Sequence, residues 1–470
     1  MATILPFKGL RYNGKFIENL AGVVTPPYDV IDPAAQDRYY KSHPYNIIRL
    51  EYGKTFPGDT ERNNRYTRAA ADFAAWRNEM ILVPEKGHAL YLYEQEYTVN
   101  GGRKVRSGLI CAVKLEPYEK GIILPHEETL PKHKADRLEL MRACRANFSP
   151  IFSLYADREM AVTGALREDA GKRAPDVSFT GENGEEHRLW VILDPEIIGR
   201  VQQLMADRRI FIADGHHRYE TALNYKKERD AGAEMAPGGA AAVASSCARG
   251  PGGRLTRAFS SEPPYHYVMM TLVNLYDPGL IVLPTHRLVK NVSRAELEAL
   301  PGRLAEDFDL EEFPLEPRGG NFKKFLTELA ARGASRAGHR LHRHVFGVYT
   351  GGKLLLASLK DEENLLNRMP PDKSPAWCSL DVSVLHTLVI EKHLGICSEL
   401  RAKGEHITYT REEEGALQAV DRGEYQLAFF LNPTLVEEVT AVAANGEKMP
   451  QKSTYFYPKL LTGLVVNSLE

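Results

Sequence analysis

The sequence is poor in cysteine, in net charge and in long apolar runs. Its five cysteines, Cys111, Cys144, Cys247, Cys378 and Cys397, are odd in number, widely scattered and never spaced C-x-x-C. That excludes a disulfide framework and a cysteine-built zinc site, and leaves small buried thiols in a reducing compartment. Lys and Arg total 60 against 62 Asp and Glu, a formal charge of −2. A chain so balanced has no global electrostatic reason to coat nucleic acid or anionic lipid. The most apolar stretch, Tyr267 to Leu283, is interrupted by Asn274, Asp277 and Pro278. It falls short of the ~20 apolar residues of a membrane-spanning helix. The first residues, MATILPFKGLRYNGKF, lack the basic cluster and apolar core of a signal peptide. The expectation is a soluble, cytoplasmic protein without a membrane partner. Common nucleotide motifs are missing too. No G-x-G-x-x-G occurs, and Lys452-Ser453-Thr454 has no upstream Gly-x-x-x-x-Gly.

What is present is ordinary globular material: 43% hydrophobic and 26% charged residues over 470 positions, enough for two or three domains. We expect strands and turns over 1–50, where Pro26 and Pro27 impose an extended path. A helix is expected over 59–80, from the spacing of Tyr66, Ala69, Ala70, Phe73 and Trp76. A hairpin then joins His88–Val99 to Lys104–Lys114 through Asn100-Gly101-Gly102. A helix follows Pro131, Ile151–Tyr155 reads as a buried strand, and 156–200 as short strands between charged turns. A strand over Arg208–Ala213 leads into a helix at about Tyr219. The Ala-, Gly-, Pro- and Ser-rich stretch 230–262 reads as a surface insertion or a lid. Strands over Tyr267–Leu275 and Leu280–Val289 precede a regular alternation of helices and strands to residue 443. The fold class is therefore α/β in the mixed α+β sense. The divisions expected are 1–155, 156–290 and 291–470.

The sharpest local feature is Asp214-Gly215-His216-His217-Arg218, where a strand runs into a helix. The N–H groups and positive dipole end of a helix N-terminus make an anion site. Gly215 lets the backbone approach an anion closely, and Arg218 can grip phosphate through two N–H groups. Asp214 can hold Mg²⁺ or orient an imidazole. His126-Glu127-Glu128-Thr129-Leu130 is not the zincin H-E-x-x-H, because Leu130 stands where the second His belongs. Within this block and the helix after it, Glu127 or Glu128 is a candidate base or metal ligand, and Lys134, Asp136 and Arg137 are candidates for substrate binding or charge neutralisation. Thr285, His286 and Arg287 close an apolar strand, a common way of aiming side chains into a site. Lys452 can reach an anion. His339, His342 and His344, beside Arg340 and Arg343, read as a solvated basic turn.

The Gly215–Arg218 segment resembles the phosphate-binding box of the ParB/sulfiredoxin superfamily. His216 stands where sulfiredoxins place their catalytic cysteine, so sulfinate reduction is not implied. The form Asp-Gly-His-His-Arg is most similar to the free-serine kinases of that superfamily. The whole chain also resembles an uncharacterised bacterial and archaeal family, domain of unknown function 1015. That likeness is carried by Thr25–Ile31, Asn46–Leu50, His126–Thr129 with Lys134, Asp136 and Arg137, the Asp214–Arg218 pentad, Leu283–Arg287 and Met449–Thr454. The resemblances imply a ParB/sulfiredoxin-like core with an additional C-terminal α/β region. They imply a phosphotransferase moving phosphate from ATP or ADP, with Mg²⁺, to a small hydroxyl acceptor such as L-serine. In that reading Asp214, His217 and Glu127 are the catalytic candidates, and Gly215, His216, His217 and Arg218 bind the nucleotide phosphates. The alternative is a ParB-like nucleotide-binding switch or DNA-associated protein. No basic recognition helix is evident, so no specific DNA partner is expected.

Overall fold

The computed structural model describes residues 2–99, 101–127, 129, 131–234, 262–316, 320–334 and 344–470. The chain forms two compact units. The first comprises 1–125, 129–281 and 458–470, and the second 126–128 and 282–457. The mixed α/β class expected from the sequence is the observed class.

The first unit is built on a nine-stranded sheet. The strands lie in the order Ile123–Leu124, Ile210–Asp214, Ile151–Tyr155, Tyr267–Asn274, Gly102–Lys114, Leu90–Val99, Glu186–Ile192 and Val177–Thr180, with Ile4–Leu5 paired to Gly102–Lys114. Residues from both 1–155 and 156–290 therefore share one sheet. The expected hairpin is present, with Tyr91 opposite Ile110 and Glu96 opposite Val105, and Gly101 at φ +73° supplies the turn. Ile151–Tyr155 is buried along its whole length and lies inside the sheet, parallel to Tyr267–Asn274 on one side and antiparallel to Ile210–Asp214 on the other.

Three segments expected to lack helix carry helices of ten residues or more. Pro33–Ser42 is a helix capped by Asp32, whose side chain accepts from the Ala35 N–H. Pro195–Ala206 is likewise capped by Asp194. In both, proline sits in the first turn, where its missing N–H costs nothing. Ala161–Ala170 is the third. Pro26 and Pro27 do not keep their segment extended either, because Tyr28–Val30 closes a 3₁₀ turn directly after them. The expected 59–80 helix begins only at Arg65, where Asn64 and Thr67 form a reciprocal cap.

The second unit carries a fully antiparallel six-stranded sheet in the order Phe308–Phe313, Leu354–Leu359, Val345–Tyr349, Leu427–Phe430, His286–Val289 and Ile407–Thr410. The single strand expected over 280–289 is divided into Ile281–Leu283 and His286–Val289. Pro284 lies in the break, since it brings no ladder donor. The alternation expected after residue 290 is otherwise present, with helices Arg294–Asp307, Phe322–Ala334, Glu413–Asp421 and Val436–Ala444. Among the described residues no helix is long and apolar enough to cross a membrane.

Candidate functional site

The Ile210–Asp214 strand ends at Gly215, and the next helix, His216–Glu234, starts at once, three residues earlier than the sequence suggests. Its first turn closes with the Tyr219 N–H on the Gly215 carbonyl at 3.1 Å. Gly215 adopts φ +94°, which an L-residue rarely tolerates. A Cβ placed there would lie 2.7–2.9 Å from the Arg218 guanidinium. The arginine thus folds back over the glycine and occupies the space that glycine leaves.

Arg218 is 9% exposed, and its guanidinium donates to the Pro150 carbonyl at 2.6 Å. Its Nε has no hydrogen-bond partner among the described residues. A buried guanidinium N–H left over at a helix N-terminus suits an incoming oxyanion. Asp214 accepts from the Lys459 ammonium at 2.7 Å. Burial alone would raise the Asp214 pKa, but Lys459, Arg218 and His216 outweigh it and hold the carboxyl well below its usual range. His217 is lowered to about 4, first by burial and then by the charges of His133, Lys134 and Arg218, against Glu220. Its ring meets that of His133 edge-on at 5.1 Å. Glu220, one helical turn on, accepts from Thr129 at 2.6 Å and from Lys134 at 2.9 Å.

The helix Pro131–Cys144 adds a second layer of charge. Arg137, 5% exposed, pairs with Asp136 at 2.6 Å and with Glu51 at 3.3 Å, and lies 4.1 Å from the centre of the Tyr28 ring. Asp136 also pairs with Arg65 and accepts from the Tyr66 hydroxyl at 2.7 Å. Glu51 is 4% exposed and accepts from Ser149 at 2.8 Å. Burial raises its pKa despite Arg137, Arg218 and the Ser149 hydroxyl. Glu51, Arg137, Ser149, Thr221 and Arg218 help line a cavity of about 40 Å³. That is room for one or two waters.

The first unit therefore gathers Asp214, Gly215, His216, His217 and Arg218 with Lys134, Asp136 and Arg137. Glu127 belongs to the second unit, as do Thr285, His286, Arg287 and Lys452. The His126–Arg137 block is divided between the units. The His126 ring nitrogen pairs with the Thr454 hydroxyl at 3.1 Å inside the second unit, while Thr129 onward belongs to the first. Sequence reasoning passed over Glu51 and Lys459. Glu51 directly follows the Asn46–Leu50 block, and Lys459 closes Tyr455-Phe456-Tyr457-Pro458-Lys459, so adjacency to marked blocks was the available signal. The basic-turn reading of His344 is corrected, because that residue is 1% exposed and bonded to Asp381 at 2.7 Å. His339, His342 and most of the 230–262 stretch lie outside the described residues.

Residues 4–383 match the family described as Protein of unknown function (DUF1015). The chain belongs to that family. Comparison with curated proteins returned no match in sequence. Among solved structures, this family member is similar to a free serine kinase variant in complex with ADP, at 14% identity and a TM-score of 0.33, over 75% of this chain and 88% of that one. It is similar to a conserved hypothetical protein from Pyrococcus furiosus at 13% identity and TM-score 0.33, over 77% and 96%. It is also similar to C-terminally truncated SbnI from Staphylococcus aureus at 10% identity and TM-score 0.32, over 75% and 85%.

Proposed function

We propose that the turn from Asp214 to Arg218 holds the phosphate chain of ATP or ADP, and that the protein transfers a phosphoryl group to a small hydroxyl acceptor, L-serine being the first to test. The observation that carries this reading is the Arg218 guanidinium folded over Gly215, with Nε unpartnered among the described residues, at the head of the His216–Glu234 helix. The likeness of Asp-Gly-His-His-Arg to the phosphate box of ParB/sulfiredoxin proteins, in its free-serine-kinase form, supports the same reading.

Phosphoryl transfer needs positioning, charge neutralisation and a group to receive the acceptor's proton. The helix N-terminus and Arg218 position and neutralise the phosphate. Lys459, held by Asp214 beside the turn, is a second cation that can swing to an arriving anion. Glu51 is the proposed base. Its raised pKa brings it nearer neutrality than an exposed carboxylate, whereas His217, at about 4, stays neutral but accepts protons weakly. Glu51 would take the hydroxyl proton directly or through one water, as the oxygen bonds to phosphorus and the nucleotide leaves. Among the described residues no group of three or more His, Cys, Asp and Glu is arranged to hold a metal alone. The donors fit Mg²⁺ carried in on the phosphates, where it would neutralise phosphoryl oxygens and meet Asp214 in exchange for Lys459.

Phosphorus NMR of the full chain with Mg²⁺, each of ATP, ADP and pyrophosphate, and each of serine, threonine and homoserine tests this. A phosphomonoester signal that grows with the acceptor is expected. All three acceptors unchanged with every donor contradicts the reading.

A further inference from the structure

The second unit contains a buried cation with no acidic partner among the described residues. Side chains alternate along the His286–Val289 strand, so Arg287 shares a face with Val289 while Leu288 faces the other way. Val289 packs in one core with Leu385, Leu388, Val389 and Phe429, and Leu288 in another. Arg287 therefore lies on the face covered by the Asp381–Glu391 helical segment. It is 1% exposed. Its guanidinium donates to the Thr285 carbonyl and, at 3.1 Å, to the Lys452 carbonyl, and stands 5.5 Å from the Tyr409 ring centre. Its Nε has no partner, and no carboxylate forms an ion pair with it among the described residues.

Two further orphaned polar atoms lie on the covering segment. Among the described residues His386, 4% exposed, has no partner at Nε2, and Ser383, 0% exposed, has none at Oγ. Three residues apart, they share a helix face. His386 feels the Arg287 charge. It sits in a stretch of π-helix, Leu385–Glu391, a distortion that recurs at functional sites. The other nearby cation, Arg401, is satisfied by Glu391 at 2.6 Å. Arg287 is thus the unbalanced charge, and a buried guanidinium without a counter-ion is costly.

We propose that Arg287, with His386 and Ser383, forms an anion pocket within the second unit that takes a small carboxylate. The charge to be matched selects this class. Burial together with Arg287 and Arg401 keeps His386 neutral, so the pocket offers one positive charge. A monoanion balances it, whereas a phosphate dianion leaves a surplus charge in a buried site. The planar carboxylate also matches a guanidinium edge. The inference is independent of the phosphotransfer reading, because no residue from Asp214 to Arg218 takes part.

The test is calorimetry of the full chain with sodium acetate and with sodium phosphate as probes at constant ionic strength. Acetate is expected to bind at one site per chain that survives Arg218→Ala. Arg287→Met should abolish it, and Arg287→Lys, which keeps the charge and loses the planar fork, should weaken it about tenfold. The lysine variant keeps the test decisive if the methionine variant does not fold. Three outcomes overturn the proposal: no acetate binding by the wild type, acetate binding unchanged in the Arg287 variants, or an Arg287-dependent site that takes phosphate in preference to acetate.

Discussion

Asp214 and Lys459 stand 245 positions apart and meet at 2.7 Å, with side chains 17% and 13% exposed. Asp214→Asn removes the charge while keeping a carbonyl oxygen that Lys459 can still reach. Deleting one partner of a buried pair outright costs about 3–5 kcal/mol, and the surviving neutral hydrogen bond puts this variant near or just below that range, at about 2–3 kcal/mol. The sign with pH follows from the depressed Asp214 pKa. The contribution is complete above the unfolded value of about 4 and is lost as pH falls through the lower folded value. Urea unfolding of wild type and variant at pH 7 should differ by that amount, and the gap should close as the pH drops below about 4. Equal stabilities at pH 7, or a gap that persists unchanged in acid, would refute the role given to this pair.

Gly215→Ala forces an L-residue to φ +94° with its Cβ under 3 Å from Arg218. It should cost about 1–3 kcal/mol in unfolding experiments and lower nucleotide affinity as the arginine is displaced. Glu51→Gln should cut turnover by about a hundredfold or more while changing ADP affinity little, as steady-state kinetics beside calorimetry will show. Because the proposed base acts in its carboxylate form, wild-type activity should rise with pH through a midpoint above the ordinary carboxylate range, and the variant should lose that limb. His217, held at about 4, should show no imidazole titration by NMR between about pH 8 and 6 in the free protein.

Local signals in the sequence anticipated much of this. The Asn-Gly-Gly turn gave the hairpin, and Asp-Gly before an apolar-spaced run gave the strand-to-helix turn. The alternating segments after residue 290 fell into place because their apolar periods are clean. Two helices, Pro33–Ser42 and Pro195–Ala206, carried a readable Asp-Pro start that the surrounding charge obscured. Other features have no local signature. Lys459 reaches Asp214 only because the chain returns to the first unit after Tyr457. Glu51 is distinguished by burial beside Arg137 and Ser149, from a distant helix and loop. Arg287 reads in the sequence as a strand-end side chain aimed into a site, yet its 1% exposure comes from a helical segment 94 positions on that covers its face, which periodicity in a four-residue strand does not reveal.

The proposed function stands or falls on whether Arg218 and the Gly215 turn hold a nucleotide phosphate. Isothermal calorimetry of ADP and ATP binding to wild type and Arg218→Ala, with circular dichroism to verify the fold, tests it most directly. Binding by the wild type and a loss of about 1.5–3 kcal/mol in the variant, the worth of a hydrogen bond to a charged group, are expected. Nucleotide binding of equal affinity in the two proteins, or none in the wild type, would contradict it.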